Sequence, residues 1–177
     1  MNHKVDYYNP NEINSMELFQ KKLLYYIQMK KKDNQPIIIL CIGTDHATGD
    51  CLGPLVGKKL KHLQHNYPVF GCLCHPIHAK NLTKTICEIY ASYEDPFIIA
   101  IDACLGIEEH IGFITLSSNP LRPGESVSKE LSSIGHISIT GIVNTFSDWN
   151  IETIQTTSLN QVDILASYIS TGLSKIL

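Results

Sequence analysis

Apolar positions along the chain alternate between two spacings. Met16, Phe19, Leu23, Tyr26 and Ile27 recur at helical intervals and predict a first helix from about Ser15 to Lys32. Pro36 breaks that pattern, and Ile37-Ile38-Ile39-Leu40-Cys41-Ile42 follows as an unbroken apolar run ending at Gly43. A strand apolar on both faces suits a parallel sheet with helices above and below. Beyond the loop 43–50, Leu52, Val56, Leu60 and Leu63 predict a helix. Pro54 is tolerated near its start, where the amides have no intrahelical acceptor. Val69–Cys74 reads as a second strand, Leu82–Tyr93 as a second crossover helix, and Phe97–Ile101 as another buried strand that stops at Asp102. Gly112–Ser118 reads as a strand of antiparallel sense, followed by a turn-rich stretch 119–126 holding Pro120 and Pro123. Ile137–Val143 is strand-like, with a helix left open by Gly141, and Glu152–Thr157 is a short strand candidate. Ser158 and Gln161 form a capping-box pattern ahead of a terminal helix through Leu159, Val162, Leu165, Ile169, Leu173 and Ile176. Residues 1–14 show no such spacing and read as a loose N-terminal arm. Strand and helix alternate, so the expected class is α/β, a three-layer αβα sandwich with a mostly parallel sheet, in a single domain over 1–177.

Composition narrows the function. With 177 residues, 44% hydrophobic and 18% charged, the chain can bury a large core and needs no staples. Its formal net charge is −3 and Arg122 is its only arginine. A nucleic-acid surface needs a clustered basic field to displace counterions from phosphates. The one basic run, Lys30-Lys31-Lys32, reads as a solvated helix end. No nucleic-acid partner is expected. The first 15 residues are polar, and no apolar run reaches the roughly 18 residues of a membrane span. The six cysteines form no CxxC pair, which with no export signal points to reduced thiols and a cytoplasmic location.

In open parallel sheets, ligands sit beyond the carboxyl ends of the strands. Two segments leave buried strands there, Gly43-Thr44-Asp45-His46-Ala47-Thr48-Gly49-Asp50 and Asp102-Ala103-Cys104-Leu105-Gly106. The first fails as a phosphate cradle: five residues separate its glycines, and Asp50 stands where a P-loop has lysine. Convergent carboxylates suit two other tasks. Two acids held together split their pKa values, so one activates water while the other donates a proton. Alternatively, Asp oxygens and a His nitrogen hold a divalent ion with an open position for water, with His136 as the candidate third member. Each residue also has a plainer reading. Asp50 could cap the following helix, Asp45 could close an Asx turn, and His136 could be an ordinary satisfied histidine, as could His46, His75 and His78. Cys51 and Cys104 are the candidates for nucleophilic chemistry, against which neighbouring carboxylates count by raising the thiol pKa.

Three motifs carry a resemblance. Ile42-Gly43-Thr44-Asp45-His46-Ala47-Thr48-Gly49-Asp50-Cys51-Leu52-Gly53-Pro54-Leu55-Val56-Gly57, then Ile101-Asp102-Ala103-Cys104-Leu105-Gly106, then Gly135-His136-Ile137-Ser138-Ile139-Thr140-Gly141-Ile142-Val143-Asn144 resemble the sporulation protein YyaC family of spore peptidases, from about Pro36 to the C-terminus. That family is similar in turn to the spore germination protease and to the hydrogenase maturation endopeptidases. The first likeness implies two essential aspartates, Asp50 and Asp102. The second implies a divalent metal, nickel or zinc, on Asp50, Asp102 and His136, with Gly43, Asp45 and Gly49 shaping the loop. Both imply the phosphorylase/hydrolase-like αβα sandwich. The first-loop acid in the hydrogenase group is typically Glu, whereas Asp50 is shorter.

The resulting expectation is a sporulation-associated, cytoplasmic endopeptidase acting on a protein substrate. A non-catalytic peptide- or metal-binding protein keeping the same fold is the alternative, and a hydrolase of small amides or esters a third reading.

Overall fold

The computed structural model describes residues 5–63, 66–123, 133–147 and 150–177. Strand β1 (Val5–Tyr8) leads into helix α1 (Ser15–Lys30), then β2 (Ile37–Cys41), α2 (Leu52–Lys59), β3 (Val69–Phe70), α3 (Leu82–Ser92), β4 (Phe97–Gly106), β5 (Ile114–Ser117), β6 (Ile137–Thr145), α4 (Asn150–Gln155) and α5 (Leu159–Ser174). The strands form one sheet in the order β1-β5-β6-β4-β2-β3. The four strands β6, β4, β2 and β3 run parallel, while β5 is antiparallel to both its neighbours, β6 and β1. The fold is therefore α/β with a mostly parallel sheet. Among the described residues, no helix is long and apolar enough to cross a membrane.

The two faces of the sheet are covered unequally. Ile39, Ile99, Ile101 and Ile139 pack against Phe19 and Leu23 of α1, Leu52 and Val56 of α2, and Val162, Leu165 and Ile169 of α5. Each such aliphatic side chain, fully buried, contributes about 1.5–3 kcal/mol relative to exposure. On the opposite face Ile38, Leu40, Ile98 and Ala100 pack against Leu82 and Ile89 of α3, and against Leu121 and Ile134. Leu121 and Ile134 exchange two backbone hydrogen bonds of 2.8 Å. This second helical layer covers β2 and the start of β4. Further along that face, toward β6, β5 and β1, the side chains become Ser and Thr, and among the described residues no helix covers them.

Several sequence expectations are corrected. Residues 5–8, expected within a loose arm, form the edge strand β1, paired Val5↔Ser117 through Tyr8↔Ile114. It is held by Tyr8, which packs among the core residues of α1, and by Asp6, whose carboxylate accepts the Tyr26 hydroxyl at 2.6 Å. Residues 1–4 of that arm lie outside the described residues, as do 124–126 of the expected turn-rich stretch. Residues 152–157, expected as a strand, belong to helix α4 and its exit. The second strand stops at Phe70, because Gly71 adopts φ +89° with its α-carbon against the Cys41 carbonyl. Residues 137–143 are strand, and Gly141 fits there because Leu52 and Leu165 crowd its α-carbon. Ser158 makes no side-chain cap bond to α5.

Candidate active site

The chain leaves β2 through α2 toward β3 on one side, while β4 borders β2 on the other. The crevice beyond the ends of β2 and β4 is thus the point where strand order reverses, the usual ligand position in such sheets. Two glycines fold the first loop back onto it. Gly43, at φ +147°, donates its N–H to the Ile77 carbonyl at 2.7 Å, and a Cβ there would stand 2.0 Å from the Asp50 carbonyl oxygen. Gly53 approaches the end of β2 as closely, since its Cβ would lie 2.0 Å from the Ile42 oxygen. Thr44 N–H then donates to the Asp50 carbonyl at 3.1 Å, closing a compact loop. Gly49 presses on α4 at Ile154 and opens a 3₁₀ turn, Gly49–Cys51, that carries Asp50.

Asp102 lies on the neighbouring strand. The β2–β4 ladder ends at Cys41↔Ile101, so Asp102 is the first β4 residue beyond the end of β2. The strand does not stop there, as the sequence suggested, but continues to Gly106, paired to β6 with Asp102 opposite Thr140. The Asp102 Oδ1 accepts the Ala103 N–H at 2.8 Å. The residue is partly buried and lines a cleft. Burial pushes its pKa well above the usual carboxylate value, and the charge of Asp50 pushes it further up. Burial also raises the pKa of Asp50. The capping reading of Asp50 finds no support, because neither the 3₁₀ turn nor α2 takes a side-chain cap bond. The charge of Asp50 therefore acts on the Asp102 carboxyl.

His136 is not brought to them. Its backbone N–H donates to the Ile98 carbonyl at 2.8 Å, and its Nδ1 accepts the Ile98 N–H at 3.1 Å. The ring stacks on Phe97 with centroids 4.8 Å apart. Ile98 lies four residues before Asp102 on β4, which is about 13 Å of strand. Burial and the charge of Lys30 lower the His136 pKa, as expected of a neutral ring acting as acceptor. His136 thus joins the amino-terminal ends of β4 and β6, at the opposite edge from the aspartates. Among the described residues, no three His, Cys, Asp or Glu side chains gather in a way that could hold a metal ion. The ligand set Asp50, Asp102 and His136 does not fit a shared nickel or zinc ion.

The remaining candidates lie around the loop. Asp45 is exposed and sits 3.6 Å from the His46 ring rather than closing an Asx turn; the N–H of His46 goes instead to the Thr44 hydroxyl at 3.3 Å. His75 and His78 flank Ile77 on the β3 side of β2, and the Nδ1 of His78 accepts the Lys80 N–H at 3.3 Å. Both candidate thiols are poor nucleophiles. Burial and then Asp45 and Asp50 raise the Cys51 pKa, and burial pushes Cys104 up to about 11.

The polar half-face of the sheet is not among the sequence expectations. A cleft of about 590 Å³ is lined by Asp102 and Cys104 of β4, Ser138 and Thr140 of β6, Thr115 and Ser117 of β5, and Val5 and Tyr7 of β1. Thr140 Oγ1 lies 2.6 Å from Thr115 Oγ1 and 3.1 Å from Cys104 Sγ. The signal was legible as period-two alternation. Ile-Thr-Leu-Ser over 114–117 and Ile-Ser-Ile-Thr over 137–140 each put aliphatic side chains on one face and hydroxyls on the other.

Comparisons with known proteins identify relatives at the level of family. The family profile described as "Protein of unknown function (DUF1256)" matches residues 6–172. The protein YyaC of Bacillus subtilis (strain 168), described as uncharacterized, is 42% identical over 147 residues, which is 82% of this chain and 72% of YyaC. Among solved structures, the NiFe hydrogenase maturation protease HycI from Thermococcus kodakarensis superposes with a TM-score of 0.49 at 19% identity, covering 86% of this chain and 99% of that one.

Proposed function

The chain belongs to the DUF1256 family together with YyaC, and from that premise we propose that it is a peptide-bond hydrolase working through Asp50 and Asp102. The observation that carries the proposal is the placement of Asp102 on the cleft, one residue beyond the end of β2, where its carboxyl is desolvated and feels the charge of Asp50. Two carboxyls under mutual repulsion share one proton, which stays on the group whose ionised form is less favourable. Asp102 is that group, since burial and Asp50 both act on it. Asp50 stays the carboxylate and takes a proton from water as the water oxygen attacks the peptide carbonyl. Asp102 delivers its proton to the leaving nitrogen, and the proton held by Asp50 restores the starting state. Neither step requires His136.

The substrate is a protein, and the setting proposed is the cytoplasm of a sporulating cell. Both rest on the resemblance of the three motifs around Asp50, Asp102 and Gly135–Asn144. The test is a labelling of new N-termini in a sporulating-cell lysate incubated with the wild-type chain, with Asp102→Asn or with Asp50→Asn. Termini produced only by the wild type support the reading. Equal cleavage by Asp102→Asn overturns it, and the absence of new termini favours a binding protein on the same fold.

A further inference from the structure

Among the described residues, the second helical layer stops short. On the face carrying α3, apolar side chains cover β2 and the start of β4, and they end where Ile98 and Ala100 give way to Asp102 and Cys104. From there across β6, β5 and β1, the floor consists of Thr140, Ser138, Thr115 and Ser117, and its far wall is Val5 and Tyr7 of the edge strand. Such a floor is unusual for the buried side of a sheet. Ser117 and Ser138 are 7% and 8% exposed, so their hydroxyls sit at the bottom of a recess rather than on an outer surface. Asn119 caps one end, donating from both its backbone and side-chain nitrogens to the Ser117 hydroxyl at 3.2 and 3.1 Å.

Three properties of this recess indicate what fills it. It is continuous with the candidate active site, because Asp102 is part of its lining. Its length follows from the sheet: from β4 to β1 there are three strand spacings, about 14 Å, which matches about four residues of extended chain. Its floor presents the neutral donors and acceptors of short Ser and Thr side chains, while Asp102 and Arg122 are the charged members of its lining. A bulky apolar group placed there would strip water from the hydroxyls without replacing their hydrogen bonds, and such sites discriminate strongly against ligands lacking the matching polar group.

We propose that this half-covered face is the substrate cleft of the hydrolase, seating an extended polypeptide segment of about four residues with small hydroxyl or amide side chains, led from the Tyr7 wall to Asp102. The inference rests on the hydrolase reading for its link to chemistry, but the cleft itself is a binding claim. Tyr7 is a specificity residue here. It is 49% exposed, and its ring lies 4.6 Å from that of His110, which steadies it at the cleft wall. Strand β1 thus contributes to substrate recognition although it lies far from Asp50 in sequence.

The experiment uses the full chain carrying Asp102→Asn as a trap that binds without cutting. It is applied to an array of octapeptides whose positions are drawn from Ser, Thr, Asn, Ala, Leu, Phe, Asp and Lys. Binders enriched in Ser, Thr and Asn over four consecutive positions are expected. On the same background, Ser138→Ala and Thr140→Val should each weaken binding about five- to tenfold, the worth of one neutral hydrogen bond. Tyr7→Ala, at an exposed edge position where folding is not at stake, should change which residues are preferred at one end of the segment. An array without binders, binders dominated by Leu, Phe or charged residues, or unchanged binding by all three variants would overturn the cleft. The selected peptides are then given to the wild-type chain. Binding with cleavage supports both claims, whereas binding without cleavage supports the cleft and overturns the hydrolase reading.

Discussion

Replacing Asp102 with Asn should stabilise the fold while abolishing cleavage. The pKa of Asp102 lies well above the ordinary value of 3.8 through burial and then the charge of Asp50. Between the ordinary value and that raised value, the folded chain holds a proton that the unfolded chain has released. Stability from this group is complete below the ordinary value and is lost as pH rises through the raised folded value. Each pKa unit of elevation removes about 1.4 kcal/mol at neutral pH. For a chain of 177 residues, that is about 3–6 °C of melting temperature per unit. Asparagine matches the protonated acid in shape, keeps an oxygen for the Ala103 N–H, and never ionises. Thermal denaturation of the two chains from pH 3 to 8 is the assay. Below the ordinary carboxylate range the curves should coincide, and at neutral pH the variant should melt higher. Asp50→Asn should give a smaller gain, and the double variant less than the sum, because each single change already removes the repulsion. A variant that melts at or below the wild type at neutral pH, or that keeps the wild-type pH dependence, would refute the reasoning.

Three further outcomes follow from the same geometry. The pH dependence of cleavage should be bell-shaped with both limbs above the usual carboxylate range, the acid limb from Asp50 and the alkaline limb from Asp102; a profile flat across that range would contradict the assigned roles. His136→Ala should cost about 1–3 kcal/mol by leaving the Ile98 N–H without its acceptor, measured by urea denaturation, yet the folded variant should cleave as the wild type does, with or without a chelator. Gly43→Ala should destabilise the chain by more than the roughly 1 kcal/mol of a tolerated glycine replacement and should abolish cleavage, since its methyl would collide with the Asp50 backbone; melting and activity within error of wild type would refute this.

The parts of the fold written as long apolar runs were legible in the sequence. Ile37–Cys41 and Phe97–Ile101 are buried on both faces, and their shortness, isoleucine content and flanking Pro36 and Pro96 favour strand over a buried helix. The position of Asp50 and Asp102 followed, because each leaves such a run at the ligand-binding edge. Short elements were not legible. Val5–Tyr8 is four residues whose partner, β5, lies more than 100 residues away, so nothing local distinguishes it from a loose arm. Residues 152–157 carry strand-favouring Ile and Thr, yet α4 is helical where it packs on the loop at Gly49. His136 misled for a similar reason. A histidine just before an apolar strand suits either edge of a parallel sheet, and only the register, which places it beside Ile98, shows that it belongs to the edge away from the aspartates.

The coupling of the two aspartates is open to direct measurement. Side-chain carboxyl carbons of a ¹³C-labelled chain can be followed through a pH titration by NMR, in the wild type and in Asp50→Asn. The account predicts that Asp102 titrates well above the ordinary value of 3.8 and that its midpoint falls when Asp50 is neutralised, while remaining above the ordinary value because burial persists. An Asp102 that titrates as a solvent-exposed carboxyl, or that does not respond to Asp50→Asn, would contradict the pairing on which the proposed chemistry depends.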